Sequence, residues 1–176
     1  MFFNKSANQA NYLKSNRIAE VKIPFSDEAI FLANKLCRDG APASLDASQG
    51  RGPVATRQKL GEALLDELCD AARLDIIKLK ISDTDQYHKK RGGKVMVKRY
   101  GLYRPGNNYI YIQNLTAVRG QILASKTFLD TLLHEWLHHY DTYKLKLRSI
   151  HSKGFYLRFN DLKNKLHIPR QKQSHH

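Results

Sequence analysis

The stretch over residues 131–141 constrains the fold of this chain more than any other. It combines an apolar wall at helical spacing with the pattern His-Glu-x-x-His at residues 134–138. On an α-helix, positions 134 and 138 differ by about 40° around the axis and about 6 Å along it. Two imidazoles so placed can share one metal ion, and the neighbouring glutamate can reach a water on that ion. The stretch therefore predicts a helix that carries a Zn²⁺ site, with His134 and His138 as ligands and Glu135 as the catalytic base.

A catalytic zinc ion takes three protein ligands and keeps one position open. No glutamate follows Glu135, and Asp141 and Lys144 stand where the longer pattern H-E-x-x-H-x-x-G-x-x-H requires Gly and His. Neither Cys37 nor Cys69 belongs to a recognisable ligand motif. The remaining candidates for the third ligand are His139, Asp141, His151, Asp161 and His167.

Two of these candidates lie on the same helix as the motif. His139 follows His138 directly and therefore points about 100° away from it, as expected of a solvated neighbour. Asp141 follows His138 by three residues, on nearly the same face. This position suits a carboxylate that orients an imidazole better than one that binds the metal.

The other three candidates lie downstream. Asp161 and His167 fall inside or beyond the last predicted helix, far from the motif. His151 comes just before Ser152, the predicted N-cap of that helix, and a turn can bring it back over the first histidines. We therefore predict one ion bound by His134, His138 and His151. The alternative is that these are ordinary surface or core histidines of a packed helix.

Apolar periodicity predicts the other elements. Residues 1–23 are polar and aperiodic and predict a loosely ordered segment. Thr127-x-x-Asp130 resembles a capping box at the start of the motif helix. Helices are predicted at about 26–39, 53–73, 127–146 and 153–166. A strand is predicted at 77–81, and a hairpin is predicted over 95–113, with one strand on each side of its turn at 104–108. A loop over 41–53 and a mobile tail over 169–176 complete the prediction. The fold class is therefore α+β, with a small, mainly antiparallel sheet of about three strands packed on the motif helix.

The chain is strongly basic: 30 Lys and Arg against 16 Asp and Glu give a net charge of +14. Such an excess favours a polyanionic partner, nucleic acid first. Residues 87–104 hold seven basic side chains and no acid, with tyrosines between them. Basic groups can neutralise phosphates and tyrosines can stack on unpaired bases, although a solvated face is the alternative. The candidate DNA-binding residues are Lys89, Lys90, Arg91, Lys94, Lys98, Arg99, Arg104, Tyr100 and Tyr103.

The composition also indicates a compartment. No apolar run approaches the roughly 20 residues that span a bilayer, and the first residues do not have the pattern of a secretory signal. Two cysteines 32 residues apart form no disulfide framework. We therefore expect a cytoplasmic protein, with no membrane partner.

Three pieces of residues 76–166 resemble the SprT-like (Spartan-type) metalloprotease domain. These are the strand at 109–112, the motif at 132–138, and His151-Ser152-Lys153-Gly154-Phe155, which is similar to the family's His-Gly-x-x-Phe with Ser152 in place of Gly. The resemblance implies a zincin-like fold over a single domain, 24–168, that is helical over 24–75 and carries the sheet and active-site helices over 76–168. It also implies a zinc metallopeptidase that acts on proteins crosslinked to DNA, in DNA repair.

Three functions are consistent with these features. The first is the SprT-like metalloendopeptidase acting on protein near DNA, with the substrate peptide added as a strand beside residues 109–113. The second is a cytosolic zinc protease with a protein substrate unrelated to DNA. The third is a basic nucleic-acid-binding module without catalysis. All three leave the oligomeric state open.

Overall fold

The computed structural model describes residues 5–39, 53–85, 87–91, 94–116 and 120–168. For residues 5, 39, 53, 83–85, 87–91 and 94–99 it describes the backbone alone. Most of the predicted loop at 41–53 and the whole predicted tail at 169–176 lie outside these ranges. Both the sheet and the helices around the motif lie within them.

Five α-helices and five β-strands make up the described part of the chain. The helices are α1 (Lys5–Arg17), α2 (Asp27–Asp39), α3 (Pro53–Ala72), α4 (Ser125–Tyr143) and α5 (Lys153–Lys165). The strands are β1 (Lys78–Asp85), β2 (Tyr87–Arg91), β3 (Lys94–Arg99), β4 (Gly101–Arg104) and β5 (Tyr109–Leu115). The predicted α+β class is confirmed. Within the described ranges, no helix has both the length and the apolar character needed to cross a bilayer.

The main sheet is mixed, with the strand order β1-β5-β4. Strand β5 runs parallel to β1 and antiparallel to β4. A mainly antiparallel sheet was therefore the wrong prediction. Parallel neighbours need a long connection between them, and here residues 86–108, including the β2–β3 hairpin, supply it.

The predicted hairpin over 95–113 is divided between two sheets. Strand β3 pairs with β2, and only β4 continues into a hairpin with β5. The predicted turn is present as the 3-10 segment Pro105–Asn107 followed by Asn108, whose φ of 45° is left-handed. Asparagine tolerates this conformation better than most residues do.

The core lies between the main sheet and helices α2, α3 and α4. Side chains alternate along β5, so that Ile110 and Ile112 are fully buried while their neighbours are only partly so. Helix α4 packs on β4 and β5 and contributes Trp136 and Leu132, both with no exposed surface. Burial of each such side chain stabilises the fold by roughly 1.5–3 kcal/mol. This packing holds α4 rigidly beneath the strands.

Serine side chains cap the starts of α2 and α5, and the cap of α5 at Ser152 is the one predicted from the sequence. Ser26 Oγ accepts a hydrogen bond from the backbone N–H of Ala29 at 3.0 Å, at the start of α2. Ser152 Oγ accepts one from the N–H of Phe155 at 3.2 Å, at the start of α5. Each satisfies a donor that the first helical turn leaves without an intrahelical partner.

The predicted capping box of α4 is wrong. The helix begins at Ser125, after Ala124, which makes no side-chain cap. Thr127 therefore lies inside the first turn, where its carbonyl oxygen accepts a hydrogen bond from Thr131 Oγ1 at 2.8 Å. The helix also ends at Tyr143, three residues earlier than predicted.

The N-terminal segment differs from the loosely ordered chain that was predicted, because residues 5–17 form α1. This helix is polar and is held by hydrogen bonds to distant backbone. Asn11 donates to the carbonyl oxygen of Arg148 at 2.9 Å and accepts from the N–H of Arg148 at 2.8 Å. Asn16 Oδ1 accepts from the N–H of Gly154 at 3.0 Å. Since these partners lie 137 or 138 residues away, no local periodicity could reveal them.

Candidate metal centre

Helix α4 presents His134 and His138 on the face that its apolar side chains leave uncovered. Leu133, Trp136 and Leu137 are fully buried, whereas both histidines are partly exposed. The apolar positions thus fix the rotation of the helix about its axis. One turn of helix separates the two imidazoles, and they point into the same cleft.

The loop between α4 and α5 returns His151 to this face. Lys146 has a left-handed φ of 53°, which reverses the chain. Leu147 is buried, and its N–H donates to the carbonyl oxygen of Asp141 at 2.9 Å. The loop then reaches the cap of α5 at Ser152, so His151 stands directly before a fixed helix start. This position agrees with the one predicted from the sequence.

The Nε2 atoms of the three histidines form a nearly equilateral triangle. The separations are 2.9 Å between His134 and His151, 3.1 Å between His138 and His151, and 3.2 Å between His134 and His138. A tetrahedral ion with N bonds of about 2.0–2.1 Å holds its nitrogens about 3.3–3.4 Å apart. The triangle therefore fits one face of a tetrahedral site, and the cluster could hold a metal ion.

The environment of His134 and His138 disfavours their charged form. Burial lowers the pKa of His134 to about 4, and the charge of His151 adds to the shift. Burial likewise lowers the pKa of His138 to about 3, with contributions from the other two histidines. Because only the neutral imidazole has a lone pair for a metal, this environment favours ligation over protonation.

Phe155 supports all three rings. Its ring stacks on His138 at 4.7 Å between centroids and meets His134 and His151 edge-on at 5.0 and 5.2 Å. It is fully buried in the first turn of α5. Phe155 therefore lies directly behind the three-histidine cluster.

Glu135 lines the same cleft, whose volume is about 970 Å³. Its side chain lies against β4: a Cβ atom on Gly101 would be 3.0 Å from Glu135 Cγ and 3.1 Å from Oε1. Glycine at 101 therefore allows the strand to approach the carboxylate closely. The motif glutamate and the three histidines are thus brought to one cleft.

The rim of the cleft is formed by β4 and not by β5. Residues 100–103 line it, and β4 is an edge strand of the described sheet. The expectation that a peptide adds beside residues 109–113 is wrong, because β5 is central and both of its edges are occupied by β1 and β4.

Asp141 does not touch a histidine ring directly. It is fully buried, and it forms an ion pair of 2.6 Å with Arg158. Ser149 lies between Asp141 and the cluster, with its Oγ 2.7 Å from His138 Nδ1. Ser149 was not singled out from the sequence, and Arg158 was assigned there to a basic surface group and not to a buried ion pair. One feature of the sequence does indicate that Arg158 is buried: it falls within the apolar stripe of α5, between Phe155 and Leu162.

His139 is buried and not solvated, which corrects its prediction. Its exposed fraction is 1%, and its Nδ1 lies 2.8 Å from the hydroxyl group of Tyr103. Burial lowers the pKa of His139 and raises that of Tyr103. The contact joins α4 to β4, and His139 is not part of the three-histidine cluster.

The other rejected ligands also lie elsewhere. Asp161 Oδ2 accepts a hydrogen bond from the N–H of Val21 at 2.8 Å and pairs with Lys165. His167 is exposed beyond the end of α5 and takes no part in the cluster.

The structure describes the side chains of only part of the basic segment at residues 87–104. Tyr100 and Arg104 are exposed, and Tyr103 is half-buried against His139. The side chains of Lys89, Lys90, Arg91, Lys94, Lys98 and Arg99 lie outside the described residues. Their predicted contact with DNA stays a prediction.

Comparison of the chain with protein-family models, with curated proteins and with solved structures finds no match.

Proposed function

We propose that this protein is a zinc-dependent metalloendopeptidase of SprT-like type with a zincin-like arrangement of strand and helix. The observation that carries the proposal is the convergence of three histidine Nε2 atoms, from residues 134, 138 and 151, in the cleft that Glu135 lines. Three imidazole nitrogens at these separations suit tetrahedral Zn²⁺, with one position left for water or substrate.

When bound, zinc would polarise the scissile carbonyl group and lower the pKa of the attacking water. Residues of the chain itself transfer the protons and exclude water. Glu135 accepts the proton of that water and delivers it to the leaving amine. Phe155 excludes water behind the cluster, since its ring packs on all three imidazoles.

Strand β4 is the proposed binding edge for the substrate. The carbonyl oxygen of Tyr100 accepts from the N–H of Gln113 on β5. Bonding alternates along an antiparallel pair, so the backbone groups of Gly101 and Tyr103 point away from β5. An extended peptide can pair with them, which favours unfolded segments over a particular side-chain sequence.

Action on proteins bound or crosslinked to DNA is the second part of the proposal. It is supported by the net charge of +14 and by the resemblance described above. A cytoplasmic location, with association to the nucleoid or the nucleus, is consistent with this substrate.

The test is a cleavage assay with unfolded casein, on protein whose zinc content has been measured. We expect one zinc ion per chain, cleavage that stops after chelation and resumes with added zinc, and stimulation by single-stranded DNA. The variant Glu135→Gln should keep its zinc and lose at least about 100-fold in rate, because it lacks the base.

The alternatives give different results in the same assay. Cleavage without any effect of DNA would favour a zinc protease with a substrate unrelated to DNA. Zinc binding or DNA binding without cleavage of any unfolded protein would favour the non-catalytic module. Full activity of Glu135→Gln would contradict the role of Glu135.

A further inference from the structure

Both ring nitrogens of His138 have partners. Nε2 faces the other two histidines, at 3.2 Å from His134 and 3.1 Å from His151. Nδ1 lies 2.7 Å from Ser149 Oγ, which is within strong hydrogen-bonding distance. A neutral imidazole carries one proton, so the Ser149 contact decides which nitrogen keeps its lone pair.

The direction of this hydrogen bond follows from counting protons. A serine hydroxyl group has a single proton to donate. Ser149 Oγ also lies 3.4 Å from Asp141 Oδ2, and a carboxylate paired with a guanidinium can only accept. The hydroxyl proton therefore goes to Asp141, and Ser149 accepts the Nδ1–H of His138.

Arg158 holds Asp141 in place. Its Nε donates to Oδ1 at 2.9 Å and its Nη2 donates to Oδ2 at 2.6 Å, as a bidentate pair with both side chains fully buried. Such a pair has a defined geometry, which a single contact does not.

The remaining donors of Arg158 reach the end of α1. Nη1 donates to the carbonyl oxygens of Ser15 and Ile18 at 2.9 and 2.6 Å, and Nη2 donates to Ser15 Oγ at 3.2 Å. All five N–H groups of the guanidinium are thus used. The C-terminal end of a helix also stabilises a cation.

We propose that Arg158, Asp141 and Ser149 form a positioning network that keeps His138 in its Nδ1–H tautomer, with the Nε2 lone pair directed at the metal. Ser149 touches the ring, and the other two residues act through it. The inference rests on the proposed metal site, but the tautomer is a property of the metal-free protein and can be measured separately.

The test uses the full chain with ¹⁵N-labelled histidine, stripped of metal. The ¹⁵N shifts of His138 should show Nδ1–H as the dominant tautomer in the wild type. Ser149→Ala should raise the Nε2–H share and weaken zinc binding, measured by competition with a chelator, by roughly 10–100-fold. Ser149→Thr keeps the hydroxyl group and should restore both properties.

Thr142→Val is the matched control. Thr142 lines the same cleft, but its hydroxyl group donates to the backbone carbonyl oxygen of His138 at 2.8 Å and not to the ring. This variant should keep the wild-type tautomer and zinc affinity.

Three results would overturn the inference: dominant Nε2–H in the wild type, an unchanged tautomer and affinity in Ser149→Ala, or equal losses in Thr142→Val. If the wild type binds no zinc at all, the proposed function fails. The tautomer of the wild type and of Ser149→Ala then still decides whether the network orients the ring.

Discussion

Gly154 lies so close to Ser15 that a Cβ atom on residue 154 would overlap the Ser15 carbonyl group. The hydroxyl groups of Ser15 and Ser152 are 2.7 Å apart at the same point, in a buried contact. Helix α1 therefore packs directly on the first turn of α5. Because His151 precedes that turn, the N-terminal helix also supports the third histidine of the cluster.

The variant Gly154→Ala should destabilise the protein by roughly 2–3 kcal/mol, since the added methyl group meets backbone that cannot easily move. Urea denaturation measures the loss. Gly106→Ala is the control, because a Cβ at residue 106 meets nothing within 4 Å. Equal stability of both variants would contradict the close packing of α1 on α5.

The variant Gly101→Ala should impair catalysis without removing zinc. Its Cβ would lie 2.8 Å from Thr131 Cγ2 and 3.0 Å from Glu135 Cγ, so the carboxylate must shift. A displacement of about 1 Å at a catalytic group costs on the order of 100-fold in kcat/KM. The double variant Gly101→Ala with Thr131→Ser removes the closest of these contacts and should recover part of the activity. Zinc lost together with activity would point to general damage and contradict this prediction.

The variant His151→Ala should lose zinc. We expect its affinity to fall by more than the roughly 100-fold that loss of an outer hydrogen-bonding partner costs, because a direct ligand is removed. Metal analysis after dialysis gives the stoichiometry. The control His167→Asn changes an exposed histidine outside the cluster, at a position with a left-handed φ of 54° that asparagine tolerates. Full occupancy in His151→Ala would require a different third ligand.

The metal-free protein should lose stability as the pH falls from about 6.5 toward about 4. The pKa values of His134 and His138 are lowered to about 4 and about 3 in the folded state, against 6.5 for an ordinary histidine. Between these values the unfolded chain binds more protons, so the free energy of unfolding decreases toward acid. Denaturant titrations at several pH values measure this slope.

Substitution of both histidines by Asn provides the comparison for this pH dependence. Asparagine does not titrate, so the double variant should show a shallower slope between pH 6.5 and 5 than the wild type. The same slope in both proteins would mean that other groups cause the acid sensitivity.

Affinity for a single-stranded DNA oligomer should fall steeply with salt if the basic segment binds phosphates. Neutralisation of about four phosphates predicts a loss of about 50-fold between 50 and 200 mM salt. Alanine at Lys89, Lys90 and Arg91 should reduce the logarithmic slope by about 2. Binding that is independent of salt, or absent at low salt, would remove the DNA-directed part of the proposal and leave the protease intact.

Local sequence patterns predicted much of the secondary structure and the two histidines of the site that lie on α4. Helices α2 to α5 follow from apolar side chains at helical spacing, because each buries one face in the core. The pair His134 and His138 follows from the pitch of a single helix. The parallel pairing of β1 with β5 could not be predicted in this way, since strand alternation reports which face is buried and not which strand lies beside it.

The sequence alone determined the motif helix, its two histidines, its glutamate and the cap at Ser152, because these depend on residues within one or two turns of each other. Only the tertiary structure decided that α1 is ordered, that β4 is the rim of the cleft, and that Arg158 and Asp141 stand behind Ser149 and His138. These features rest on hydrogen bonds and packing between residues as far as 143 positions apart. Such contacts form only when the folded chain brings distant residues together, so they produce no periodic pattern in the sequence.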